Sequence, residues 1–325
     1  MIRRNFLVGA AALTAFLGAN DALAQFVPSR PIDLVVHSGP GAGPDAFGRA
    51  LIAAIEAEKL SPVRIQINHK IGGGGATAAS YIVEKKGDPY TIGLFTSAWV
   101  ANPLVQADMK ATVKEMTPVV RLVIEPAVFA VKADSPYKSM MEIVDAAKKD
   151  PTKIKQSGGS PLARDAIVRH VLMSNTGARW AFVSFPTGSE RIAALLGGHV
   201  DMMIIEPSEA GELIRGGQMR ALAQVSDRRL STFPDVPTLR EAGFNVPNVP
   251  QARGFVAPPD MPRDAVAFYE QMFEKMVKSP TWQKYLSDNQ FEDAFLKSPE
   301  TGKFFDEYAN LMRGILTGAG IKVVR

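Results

Sequence analysis

The chain has 325 residues, of which 46% are hydrophobic and 22% charged, enough apolar material for two domains and too much for a disordered chain. Lys and Arg number 37 against 33 Asp and Glu, a formal charge of +4 spread along the chain without the basic stripe of a nucleic-acid binder. The lack of cysteine excludes disulfides, thiolate metal sites, iron–sulfur clusters and cysteine nucleophiles, and the four histidines (His37, His69, His170, His199) form no metal-ligand motif.

The first 24 residues read as a cleaved signal peptide. Arg3 and Arg4 precede an apolar stretch from Phe6 to Ala19, and Ala22-Leu23-Ala24 supplies the small-x-small pattern of a cleavage site. A membrane span needs ~20 apolar residues, so this run is too short to stay as an anchor. The paired arginines fit a twin-arginine or a general secretory signal. The mature chain then starts at Gln25, and no later segment is apolar enough to insert into a membrane.

Strands and helices then alternate. Ile32 to His37, Val63 to Asn68 and Tyr90 to Phe95 read as strands, separated by helices over Ala46 to Lys59 and Ala76 to Lys86. This order predicts a parallel sheet covered by helices. A second α/β set follows: a strand over Val119 to Val131, a helix over Ser139 to Lys149, a brief strand at Ile154 to Gln156 and a helix over Pro161 to Ser174. Extended segments at Trp180 to Phe185, His199 to Ile205 and Met219 to Val225 alternate with helices at Ser189 to Leu196 and Glu209 to Arg215. After a proline-rich loop from Phe233 to Gln251 comes a short strand, Gly254 to Ala257, then helices at Arg263 to Lys278, Pro280 to Ser287 and Glu300 to Gly318.

In such folds ligands sit where strands hand over to helices. Three glycine-rich loops occupy such places: Ser38 to Asp45 (with Gly39, Gly41 and Gly43), Gly72 to Ala76 (Gly72, Gly73, Gly74, Gly75) and Ser157 to Ser160 (with Gly158 and Gly159). Each offers unpaired N–H groups and the positive end of a helix, which suits an anion; each is also what an ordinary tight turn looks like. Neither G-x-G-x-x-G nor a P-loop is present, and no G-x-S-x-G elbow or ordered Ser–His–Asp spacing marks a catalytic centre. Glu206 and Glu209 read either as paired carboxylates or as a solvated helix entrance, and His37 as a ligand contact or a hydrogen-bonded structural histidine. No metal or cofactor is expected.

Several of these stretches carry a resemblance. Pro31-Ile32-Asp33-Leu34-Val35-Val36, followed by Gly41-Ala42-Gly43-Pro44-Asp45 and Arg49, resembles the opening of the tripartite tricarboxylate transporter solute receptors, the Bug proteins. Asn68 to Gly75, Gly87-Asp88-Pro89-Tyr90-Thr91, Leu195 to Asp201 and above all Phe233-Pro234-Asp235-Val236-Pro237-Thr238-Leu239-Arg240-Glu241-Ala242-Gly243 extend it, so that it spans Ser29 to Lys322. The resemblance implies a two-lobed α/β periplasmic-binding-protein fold (type II, Venus-flytrap) with a ligand cleft between the lobes. Lobe one would be residues 25–122 plus 254–325, and lobe two residues 123–253 including the return hinge.

It further implies a periplasmic receptor without catalysis of its own, monomeric, that delivers a small organic carboxylate to membrane permease subunits. Carried onto this sequence, the ligand contacts are the three glycine loops, Thr96 and Ser97, and Phe185 in the second lobe. Arg164 stands where the family often has histidine, and His37-Ser38-Gly39 replaces the usual aromatic and proline residues. Arg164 is expected to fork onto a distal ligand carboxylate or, alternatively, to make a surface ion pair with Asp165 or Glu206. The other classes weighed are an exported enzyme acting on a small carboxylic acid, and a scaffold module with no small-molecule ligand.

Overall fold

The computed structural model describes residues 26–159, 163–185 and 187–325. The expected signal peptide and Ser160 lie outside the described residues. Two sheets organise the chain. The first begins with β1 (Ile32–Val36), α1 (Gly43–Ala57), β2 (Ile65–His69), α2 (Ala76–Glu84), β3 (Thr91–Thr96) and the short α3 (Ala98–Ala101), and β1 pairs in parallel with both β2 and β3. The chain then runs through β4 (Thr117–Glu125) into β5 (Ala127–Lys132). The single strand expected over Val119 to Val131 is thus two strands in two different sheets, divided at Pro126. Proline has no N–H to give a ladder, so pairing breaks there and the chain can leave one sheet for the other.

The second sheet holds β5 and the run α4 (Met140–Lys149), β6 (Lys155–Gly158), α5 (Arg164–Thr176), β7 (Ala181–Ser184), α6 (Gly188–Leu196), β8 (Met202–Ile205), α7 (Pro207–Arg215) and β9 (Met219–Val225), in the strand order β7-β6-β8-β5-β9. Helix α5 starts three residues later than the sequence pattern implied, which makes Arg164 its first residue. The chain returns to the first sheet through β10 (Gln251–Ala257), antiparallel to both β3 and β4. It ends with α8 (Arg263–Val277), α9 (Pro280–Asn289), an unanticipated edge strand β11 (Glu292–Leu296) and α10 (Ser298–Gly318). The order of the first sheet is β11-β4-β10-β3-β1-β2.

The strand period of two sorts the core. Ile32, Leu34 and Val36 of β1 point to one face, packed with Phe47, Leu51 and Ile55 of α1, Tyr269 and Phe273 of α8 and Trp282 of α9. Val35 points to the other face, toward Ile82, Trp99 and Phe305. In β5, Val128 and Ala130 join Leu195 and Ile205, whereas Ala127, Phe129 and Val131 join the cluster that holds Val35. One apolar cluster therefore runs from the first sheet into the second, and α10 lies in it, touching β4, α3 and α5. Fully burying a Leu, Ile or Phe side chain is worth ~1.5–3 kcal/mol, so this cluster packs the two sheets against each other.

Candidate functional site

The strand ends of both sheets face each other, and two buried aspartates set the loops there. Asp45, in the first turn of α1, is 1% exposed. The Gly41 N–H and Arg49 Nε donate to its Oδ2 at 2.8 and 2.9 Å, and His69 Nε2 lies 2.8 Å from Oδ1. Arg49, the Gly41 N–H and His69 together outweigh burial and hold this carboxyl well below the usual carboxylate range. Both oxygens are occupied by the protein, so Asp45 shapes the first loop. Asp165, in the first turn of α5, does the same for the third loop: the Gly159 and Ala166 N–H groups donate to it at 2.6 and 2.9 Å. Burial pushes this carboxyl up instead.

The glycine run Gly72 to Gly75 has positive φ throughout, from +58° to +131°. A Cβ at Gly75 would stand 3.0 Å from Trp99 Nε1, so α2 can begin here only on glycine. Trp99 Nε1 in turn donates to His37 Nδ1 at 3.0 Å, and Asn102 Nδ2 to the Gly74 carbonyl at 2.9 Å, tying the first two loops to α3. Burial, with help from Arg253, lowers the pKa of His37 to about 4, and the Trp99 bond leaves its proton on Nε2.

Two cavities lie between the sheets. One of about 300 Å³ is bounded by His37, Pro44, Thr96, Ser97 and Asn102 of the first lobe, Tyr308 of α10 and Ile167 of α5. The other, about 240 Å³, is bounded by Gly159, Phe185, Thr187, Gly188, Arg191, Glu206 and Glu209 of the second lobe, with Glu125 at the crossing. Ala163, Arg164, Gln251 and Arg253 border both.

Ionic contacts crowd this region. Arg164 Nη2 lies 2.6 Å from Glu206 Oε1, and its two terminal nitrogens donate to the carbonyls of Glu125 and Pro126. The Arg164 side chain is 5% exposed, so the surface ion pair anticipated from sequence is an interior one that grips the crossing strand. Arg253 Nη2 meets Glu125 Oε2 at 2.8 Å and its Nη1 donates to the Gly43 carbonyl at 3.0 Å. Gln251 Nε2 donates to the same Glu125 oxygen at 2.9 Å. Arg191 is held more loosely, 3.4 Å from Asp165, 3.7 Å from Glu206 and 3.8 Å from Glu209. Burial and the neighbouring Glu206 raise the pKa of Glu209.

Of the residues singled out from sequence, the structure brings His37, Thr96, Ser97 and Arg164 to one cavity and Gly159, Arg164, Phe185 and Glu206 to the other. Ser97 is occupied: its hydroxyl donates to the Pro250 carbonyl and accepts from the Ala252 N–H, both at 2.8 Å. Ser38, Gly39, Gly41, Gly43 and Asp45 form the loop behind the first cavity, Gly72 to Gly75 with Ala76 form the neighbouring turn, and Ser157 and Gly158 end β6; none of these borders either cavity. Sequence reasoning missed Arg191, Arg253, Gln251, Glu125 and Tyr308. No local pattern marks them: Glu125 and Arg253 are charged residues in strands that are otherwise mostly apolar. Among the described residues no group of three His, Asp or Glu side chains could hold a metal ion, and no helix is long and apolar enough to cross a membrane.

Two α/β lobes joined by crossing strands, with cavities bordered from both, make this a two-lobed solute-binding protein. The family described as tripartite tricarboxylate transporter family receptor matches residues 50–321, and the chain belongs to it. A Cupriavidus necator relative, the UPF0065 protein in the gbd 5′ region, is 27% identical over 327 residues, covering 99% of each chain. Among solved structures, a Rhodopseudomonas palustris protein with adipate superposes with a TM-score of 0.79 at 21% identity, covering 91% of this chain and 99% of that one. MatC from Rhodopseudomonas palustris, with bound malate, gives 0.73 at 21% identity, covering 89% and 99%. At that identity the likeness is one of fold.

Proposed function

We propose that this chain is a periplasmic receptor that binds a small organic carboxylate between its lobes and delivers it to the membrane permease of a tripartite tricarboxylate transporter. The observation that carries the reading is a pair of interlobe cavities, each bordered by both lobes, in a chain of the receptor family. A solute there touches both lobes at once, so its binding free energy favours the closed arrangement, which a permease can distinguish from the open one. The adipate and malate held by the two Rhodopseudomonas palustris proteins support a carboxylate as the solute class. Backbone N–H groups at the start of α5, neutral His37 and the Tyr308 hydroxyl are the donors that such an anion would meet. The arginines contribute mostly to closure, because Arg164 and Arg253 are already paired.

The test is a thermal-shift panel of mono-, di- and tricarboxylates on the mature protein, with product analysis of each mixture. One or more carboxylates should raise the melting temperature and be recovered unchanged. A ligand at a hundredfold excess over Kd adds about 2.7 kcal/mol. No shift with any carboxylate removes the reading, and turnover replaces it with an enzyme.

A further inference from the structure

We propose that the solute carries a single carboxylate on an uncharged, largely apolar body, and that the cavity on the first-lobe side is built to refuse a second carboxylate. The inference rests on the receptor reading above and names the solute class more closely.

The first reason is that the cations are already committed. Among the described residues, Arg164 and Arg253 are the charged side chains that border this cavity. Their side chains are 5% and 9% exposed, and each has a carboxylate of its own: Arg164 Nη2 lies 2.6 Å from Glu206, and Arg253 Nη2 lies 2.8 Å from Glu125. Arg164 also donates to the carbonyls of Glu125 and Pro126. Arg253 donates to the Gly43 carbonyl, and its guanidinium carbon stands 5.4 Å from the ring centres of both Phe47 and Phe291. A solute carboxylate could take either guanidinium only by leaving a glutamate buried without its partner, which offsets what the new pair would contribute. Arg191 stands on the second-lobe side, 3.4–3.8 Å from the carboxylates of Asp165, Glu206 and Glu209. A second carboxylate that reached it would come up against those three like charges.

The second reason is the rest of the wall. Pro44, Ala98, Ala101, Ala163, Ile167 and Pro250 give it apolar surface. The two arginines apart, its polar groups are uncharged: burial keeps His37 neutral, and Thr96, Asn102 and Tyr308 offer hydroxyl and amide groups. Such donors can meet the oxygens of one carboxylate, but they bring no counter-charge for a second. The small alanine side chains leave about 300 Å³ for an uncharged body, which is stabilised there by leaving water.

The experiment is calorimetric titration of the mature protein with acids matched in skeleton: butyrate against succinate, hexanoate against adipate and 4-methylbenzoate against terephthalate, with malate and citrate alongside. In at least one pair the monocarboxylate should bind about tenfold or more tighter than its dicarboxylate partner, the worth of one charged hydrogen bond. Glu206→Gln releases Arg164 from its counter-charge and should narrow that gap about tenfold by tightening the dicarboxylate. Ala98→Lys breaks no buried pair and sets a new ammonium on the half-buried cavity wall, so it should narrow the gap by an independent route. Equal or tighter binding of the dicarboxylates, tightest binding of malate or citrate, or a monocarboxylate preference that neither substitution narrows, overturns the inference and leaves the receptor reading standing. No binding by any of these acids overturns both.

Discussion

Asp45 offers the sharpest test of how the first loop is held. Its two oxygens face three donors, and its neighbours respond differently to its loss. In Asp45→Asn the amide oxygen can keep the Gly41 N–H and Arg49, while the new NH₂ turns to His69 Nε2, which accepts in its other tautomer. What disappears is the charge. Charge-assisted bonds are roughly twice as strong as neutral ones, and Arg49 is 59% exposed, so its share is small. The expected loss is about 1–2 kcal/mol. Asp45→Ala instead leaves the Gly41 N–H and His69 without a buried partner, and should cost about 3 kcal/mol.

The pH dependence has a fixed sign, because the folded-state pKa of Asp45 is depressed. Stabilisation by its charge is complete above the ordinary carboxylate pKa of about 4, and is lost as pH falls through the lower folded value. Urea denaturation followed by circular dichroism should give a constant gap between wild type and Asp45→Asn from neutral pH to about 5, closing below about 4. Equal losses for Asn and Ala, or a gap that persists undiminished at pH 3, would refute the three-donor account.

Arg164→Ala strands Glu206 and two carbonyls in the interior, so stability should fall by about 3–5 kcal/mol with no ligand present, as read by urea denaturation. Gly158→Ala drives a Cβ to 2.3 Å from the Phe182 ring and should cost about 3 kcal/mol, whereas Gly159→Ala, with 3.7 Å to its nearest neighbour, should stay within about 0.5 kcal/mol of wild type and still lower solute affinity. His37 folds neutral with a pKa of about 4 against an ordinary 6.5. Stability should therefore decline as pH falls from about 6.5 toward 4, and His37→Gln should flatten that limb of the curve.

The fold was legible where punctuation is local. Glycine and proline mark the ends of β1, β2 and β6, and the apolar periods of α1, α4 and α8 are strong enough to place them within a few residues. Reading β4 and β5 as one strand was a failure of a different kind: the apolar pattern of Thr117 to Lys132 resumes directly after Glu125 and Pro126, and that the chain changes sheets there is a long-range property. Strand β11 escaped because Glu-Asp-Ala-Phe-Leu has neither alternation nor β-branched residues; it exists through pairing with β4. The loops of the site were visible as glycine runs, but its charges were not. Arg191, Arg253 and Glu125 come from three distant segments, and nothing local distinguishes a buried arginine from a solvated one. Arg164 was found by position, while its direction, inward to the crossing strand, depended on where α5 starts.

Glu125 faces Gln251 across the β4–β10 ladder, so the outgoing and returning chains are hydrogen-bonded to each other at the point where they leave the first lobe. Its carboxylate is fastened to Gln251 and Arg253, and its carbonyl to Arg164 of the opposite lobe. Two separate tethers would let the lobes slide, twist and swing independently. Two tethers stitched together at one residue act as a single pivot, and sliding or twisting would tear the stitches while swinging need not. If the chain is the receptor proposed above, its opening and closing reduce to one angle, and a permease touching any point on the far rim could read from that angle whether a solute is held.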